Sequence, residues 1–190
     1  MANSNLQALM LPRVQGLANR RVQKRINRVI QLQLREVLRQ LNYGRPDVNV
    51  YPAFTNTANE NGVSSSYTDI YGYQQRAAHG LTIRRSFTFN LATGRLYQLS
   101  DLFQPGSDYI ERISAMIKEQ IEQQEIPLLR PFERIGPNEG YYLGSENLVV
   151  YFQTYDYTPY YIGIPEFRIP YTAIADILAP NSPVRRIMRT

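Results

Sequence analysis

Residues 17–41 limit the fold more than any other part of this 190-residue chain. Val22, Ile26, Val29, Ile30, Leu34, Val37, Leu38 and Leu41 return at steps of three and four, the period that stacks side chains along one side of an α-helix. Arg20, Arg21, Lys24, Arg25, Arg28, Arg35 and Arg39 fall mainly on the other side. Asn42, Gly44 and Pro46 then punctuate the pattern and end it. An apolar face this wide has to be covered. The spacing predicts a long amphipathic helix lying on a sheet, and the segments that follow supply the sheet.

Three stretches with strand character come next. Residues 47–57 are extended, with Pro52 marking an edge strand or a bulge. Residues 62–75 are rich in Ser, Thr and Tyr. In residues 81–91 the alternation is cleanest: Leu81, Ile83, Phe87, Phe89 and Leu91 share one face, interrupted only by Arg85. Short connections favour antiparallel pairing. Thr93 and Gly94 reverse the chain. Ser107 or Asp108 is placed to cap a second helix whose buried stripe is Ile110, Ile113, Met116, Ile117 and Ile121. After an irregular, proline-containing segment at 125–140, residues 147–155 and 161–171 read as strands, and 172–178 as a short closing helix. The expected class is α+β: antiparallel sheets, with the long first helix and a second helix packed on them, in two similarly built halves. The expected organisation is one domain over 12–178, with halves of roughly 12–91 and 92–178, and flexible ends at 1–11 and 179–190.

Composition narrows the chemistry. There is no Cys, which removes disulfides, thiolate zinc sites and cysteine nucleophiles together. One His, His79, leaves a zinc site without a ligand set, and no acidic loop has calcium-binding spacing. No metal, no cofactor and no catalytic set is therefore expected. No G-x-S-x-G elbow surrounds any Ser, and the 11 glycines form no phosphate-cradling loop. A hydrolase stays open as an alternative, built on His79 beside an acid or hydroxyl or on paired carboxylates, because any two of the 16 acids can meet in space. No run of 18 apolar residues could cross a membrane, so membrane attachment is expected only through an anchor outside this chain.

Two surfaces remain as candidates. Residues 1–41 hold eight cations and one acid, so the +5 net charge is concentrated on the first helix. Arg21, Lys24, Arg25 and Arg28 could bind a polyanion, or simply form a solvated face; nothing points to sequence-specific nucleic-acid recognition. The second surface is 151–163, with six aromatic residues in thirteen. Tyr151, Tyr155 and Tyr157 are expected to point outward together, joined by Tyr160 and Tyr161, as an adhesive surface for protein or sugar. Cross-strand packing is the competing account. His79, between Ala78 and Gly80, is expected to bond backbone in a bend, with Ala77 and Ala78 allowing close packing, rather than to act as a base.

The combination A-H-G at 78–80, "TGRLYQLSDLF" at 93–103 and "NLVVYFQTYDYTPYYIGIPEFRIPY" at 147–171 resembles a bacterial family. It looks like the extracytoplasmic domain of RsiV-type anti-sigma factors, which also precedes the catalytic domain of PdaC-type peptidoglycan deacetylases. The resemblance covers about 12–178. It rests on His79, Gly80, Thr93, Gly94, Leu99, Asp101, Leu102, Phe103, Pro159, Tyr160, Gly163, Ile169, Pro170 and Tyr171, which look mainly architectural. It implies a non-catalytic binding or sensor domain in the cell envelope, displayed outside the cytoplasmic membrane. Its partner would be a protein such as lysozyme, or peptidoglycan or another envelope polymer.

Overall fold

A computed structural model describes residue 9 and residues 11–189. The expected flexible start at 1–11 lies largely outside the described residues. The first helix, α1 (Arg20–Gln40), begins where Asn19 accepts hydrogen bonds from the backbone N–H groups of Arg21 and Val22. It ends in a left-handed turn at Asn42 (φ 55°). Ile26, Ile30, Leu34, Val37 and Leu38 are its buried face.

That face lies on a three-stranded antiparallel meander: β1 (Val48–Glu60), β2 (Val63–Gln74) and β3 (Leu81–Asn90), in that spatial order. Pro52 sits on β1, an edge strand, whose register slips between Asn56 and Ala58. Phe87 and Phe89 of β3 and Ile70 of β2 meet α1 in one apolar cluster. Burying a side chain of this size stabilises by about 1.5–3 kcal/mol.

The second half repeats the plan. Helix α2 (Tyr109–Gln123) precedes β4 (Tyr141–Leu143), β5 (Asn147–Tyr151) and β6 (Glu166–Pro170), again an antiparallel meander. Ile113, Ile117 and Ile121 of α2 enter a larger core with Leu148, Val150, Phe167 and Ile169. The chain is thus α+β, with a helix followed by three strands in each half. β4, three residues long and emerging from an irregular stretch, was not expected from the sequence.

The C-terminal end differs from expectation. Residues 172–178 form a 3-10 turn (Tyr171–Ala173) and further turns instead of a closing helix. The helix, α3 (Pro183–Ile187), comes later, inside the stretch expected to be a flexible end. Val184 and Ile187 are buried in the second core, beside Ala58 and Val63 of the first half. Two apolar side chains one helical turn apart are enough to dock so short a helix.

Candidate binding surface

β3 is buried on both faces. Its apolar residues meet α1; its polar residues face the second half. Arg84 is 6% exposed, with a two-pronged contact to Asp69 of β2: Nε donates to Oδ1 and a terminal nitrogen to Oδ2, each at 2.7 Å. Another terminal nitrogen pairs with Glu166 of β6. Its guanidinium lies 3.9 Å from the Tyr67 ring. Burial works against this charge, but the hydrogen bonds to Asp69 and Glu166 outweigh it and raise the Arg84 pKa above its ordinary value. Tyr142 of β4 donates to the other Glu166 oxygen at 3.0 Å. Burial, and then the Glu166 charge, push this phenol above its usual range.

Gln153 reinforces the junction. Its amide accepts from the Arg84 backbone N–H at 3.0 Å and donates to the Arg84 carbonyl at 2.8 Å. One side chain thereby stands in for a strand on the open edge of β3. Further along, Ser65 and Thr88 share a hydrogen bond at 3.0 Å, and Ser65 Oγ accepts from the Leu143 N–H at 2.8 Å.

This junction positions an aromatic platform. The β2–β3 turn carries His79, and the loop after β5 carries Tyr155, Tyr160 and Tyr161. His79 stacks on Tyr160, with centroids 3.9 Å apart and 23° between planes. The Gly80 carbonyl, 3.0 Å from Nδ1, can only accept, so Nδ1 carries a proton. On a neutral ring Nε2 accepts from the Tyr155 hydroxyl, 3.4 Å away. Tyr155 is 48% and Tyr161 75% exposed. A groove of about 370 Å³ runs beside them, lined by Thr82, Arg84 and Thr154 together with Tyr160 and Tyr161.

Both loops are held in costly conformations. Arg76 (φ 70°) and Tyr155 (φ 73°) occupy the left-handed region without being glycine. Each such residue costs on the order of 1–3 kcal/mol and persists only where its surroundings impose it. Gly80 makes the turn possible: a Cβ there would lie 2.4 Å from the Tyr71 ring and from the Gly72 carbonyl oxygen.

The sequence expectation for this surface is therefore revised. Tyr151 does not point outward: it is 3% exposed and shares a 2.9 Å hydrogen bond with Ser86 between the halves. Tyr157 packs against Phe132 and Phe152. β5 stops at Tyr151, so alternation no longer governs the residues beyond it. His79 is exposed and touches tyrosines as well as backbone; Ala77 and Ala78 are exposed, and Gly80 alone makes the close approach. No carboxylate or serine orients the His79 ring among the described residues, and no group of three His, Cys, Asp or Glu there could hold a metal. Asp69, Arg84, Gln153 and Glu166 were missed. Alternation gave a hint, since Thr82, Arg84, Ser86, Thr88 and Asn90 form a wholly polar face that reads as solvated.

The other motif residues sit in turns. Gly94 (φ 73°) closes a reversal in which Asn90 Oδ1 accepts from the Ala92 and Thr93 N–H groups. Asp101 accepts from the Gln98 N–H and from Arg95. Phe103 stacks on Tyr109 at 4.6 Å. Pro159 precedes the 3-10 turn that holds Tyr160, and Gly163 (φ 76°) ends it. On α1, Arg21, Lys24, Arg25 and Arg28 are exposed and make no ion pair among the described residues. No helix there is long and apolar enough to cross a membrane.

Comparison with known proteins agrees with this architecture. A family model described as "Protein of unknown function (DUF3298)" matches residues 100–172. The anti-sigma-V factor RsiV of Bacillus subtilis is 32% identical over 120 residues; the match spans 57% of this chain and 42% of RsiV, less than half of that protein. A DUF3298 family protein from Pseudomonas aeruginosa superposes with a TM-score of 0.68 at 18% identity, covering 85% of this chain and 82% of that one. A DUF3298 member from Bacteroides fragilis does so with a TM-score of 0.61 at 18% identity, covering 90% and 70%. At that identity the likeness speaks for the fold. Residues 100–172 thus match the DUF3298 family model, in a chain that shares the fold of solved family members and resembles RsiV in sequence.

Proposed function

We infer that this chain is a non-catalytic binding domain of the cell envelope, facing outward from the cytoplasmic membrane, which recognises a protein through His79, Tyr155, Tyr160 and Tyr161. One observation carries this reading. Two loops about 75 residues apart in sequence converge on a stacked, half-exposed aromatic cluster, and each holds a residue in a strained left-handed conformation beside it. Exposed tyrosines offer contact area at low entropic cost and a hydroxyl for orientation, the composition of protein-binding surfaces. The groove beside Tyr161 could take one side chain of the partner. The sequence likeness to an anti-sigma factor supports a protein partner. A lysozyme-type protein is the partner that the RsiV resemblance implies.

Calorimetric titration with lysozyme, and separately with soluble peptidoglycan fragments, tests this. The expected result is binding of lysozyme, weakened at least about tenfold in Tyr155→Ala/Tyr161→Ala, since anchors in contact surfaces commonly contribute 2 kcal/mol or more. Binding of glycan alone would reassign the ligand. Lysozyme binding unaffected by the double substitution would remove the platform from it.

A second reading rests on the unpaired cations of α1. If Arg21, Lys24, Arg25 and Arg28 bind a polyanion, affinity for a poly(glycerol phosphate) chain falls steeply with added salt. Salt-insensitive or absent binding rejects it.

A further inference from the structure

Arg84 and Arg85 are neighbours on β3 with opposite fates. Arg84 is matched by two carboxylates. Arg85, on the α1 face, has its Nε shut away from solvent and donates it to no acceptor among the described residues. Nor does Arg85 form an ion pair within 4 Å among the described residues. A buried donor left unmade is costly, and a charged one more so. It is the one charged group among the buried side-chain atoms left without a partner there; the others are Thr and Ser hydroxyls.

Arg85 lines a cleft of about 290 Å³ where the open edge of β3 meets α1 and the second half. The size falls just below the usual range of small-molecule sites, roughly 300–1,000 Å³, and suits a ligand of few atoms. Its walls include Gln33 of α1, Asn138, Glu139 and Asp156. Much of this polar lining has capacity to spare. Glu139 uses Oε2 for the Gly136 N–H, and Asp156 uses Oδ2 for the Gln153 N–H; the second oxygen of each has no partner among the described residues. Asn138 accepts from Ser100 with Oδ1, and its amide N–H groups donate to no acceptor among the described residues. One cation and two carboxylates therefore share a small cleft without neutralising one another at contact distance.

That arrangement selects its ligand. A simple anion would satisfy Arg85 but meet two like charges. A simple cation would leave Arg85 unpaired. We propose that this cleft binds a small zwitterion of amino-acid size, its carboxylate on the terminal guanidinium nitrogens of Arg85, which make no hydrogen bond among the described residues, and its ammonium on the free oxygens of Glu139 and Asp156. The cleft shares the loop after β5 with the aromatic platform, through Asp156, but none of the platform side chains lines it, and it does not depend on the function assigned to them.

Titration calorimetry on the whole chain tests the assignment, with L- and D-alanine as zwitterions and acetate and methylammonium as half-ligands. One alanine enantiomer is expected to bind saturably, and each half-ligand at least about tenfold more weakly, because both charge-assisted contacts are needed. Arg85→Gln is expected to lower alanine affinity by a similar factor. Circular dichroism and the thermal midpoint of each variant show whether it stays folded. Glu139→Gln attacks the other end of the ligand, and a severalfold loss there would support the same pose. Absence of alanine binding, equal binding of acetate, or affinity unchanged in both variants overturns the proposal. So does a crystal structure in which Arg85 pairs with Glu139 or Asp156.

Discussion

The two faces of β3 are equally buried and built on opposite principles. Toward α1, Ile83, Phe87 and Phe89 are packed by shape and apolar area, and any neighbour of the right volume would serve. Toward the second half, Arg84, Ser86 and Thr88 are satisfied only by particular partners: Asp69, Glu166, Tyr151 and Ser65. The apolar face supplies most of the stabilisation without specifying much. The polar face contributes little net energy, because desolvation offsets its contacts, but it penalises every wrong docking of one half on the other. The two loops that carry the aromatic platform stand at the end of this polar seam, so the geometry of the platform depends on the specific face.

The largest effects should separate the two faces. Asp69→Ala leaves Arg84 short of a partner and should cost about 3–5 kcal/mol, as removing one member of a buried ion pair does. Phe87→Ala should cost a similar amount, about 3–5 kcal/mol, by opening a cavity. Denaturant unfolding of both reads these losses. The triple change Arg84→Met/Asp69→Leu/Glu166→Leu then sharpens the contrast. It should recover most of the stability lost in Asp69→Ala while broadening the dispersion of conformations in an amide NMR spectrum. A triple variant as unstable as Asp69→Ala would show that the ion pairs themselves stabilise the seam.

Thr88→Val should cost less, about 1–3 kcal/mol, by depriving Ser65 of a partner in a buried site. The tyrosines at and near the seam give a pH test. Burial holds the phenols of Tyr141, Tyr142, Tyr151 and Tyr171 above their ordinary range. Their folded pKa is raised, so the unfolded chain loses protons first. Stability should be level below the unfolded value of about 10 and fall as pH rises beyond it. Tyr142→Phe should flatten that fall; unfolding free energy across the alkaline range checks it. The smallest effect is expected from Tyr155→Gly. Relief of the left-handed strain should raise stability by about 1 kcal/mol, offset in part by lost ring contacts. The same change should weaken partner binding.

The same contrast governs what could be read from the sequence. The apolar face of β3 was legible because it repeats locally: Leu81, Ile83, Phe87 and Phe89 announce a strand, as Val22 to Leu41 announce α1. The polar face was legible only as polar. That Arg84 meets Glu166, 82 positions away, is a long-range fact which no local period encodes. The tyrosine-rich stretch was found, but its geometry was misread, because alternation was extended past the end of β5. There Tyr155 takes up φ 73° and the chain turns. β4 and α3 were missed for a related reason: three and five residues are too few to display a period, and packing alone defines them. The A-H-G motif and Gly94 were legible as turn chemistry, though the reason for Gly80, the Tyr71 ring at its Cα, was not.

The central claim is that the loops at the end of the seam form the binding surface. Hydrogen–deuterium exchange on the chain with and without lysozyme tests it most directly. New protection is expected only in the β2–β3 turn around His79 and in residues 153–163, with α1 unchanged. Protection centred instead on the N-terminal turns of α1 around Arg21, Lys24, Arg25 and Arg28, with both loops unchanged, would contradict it.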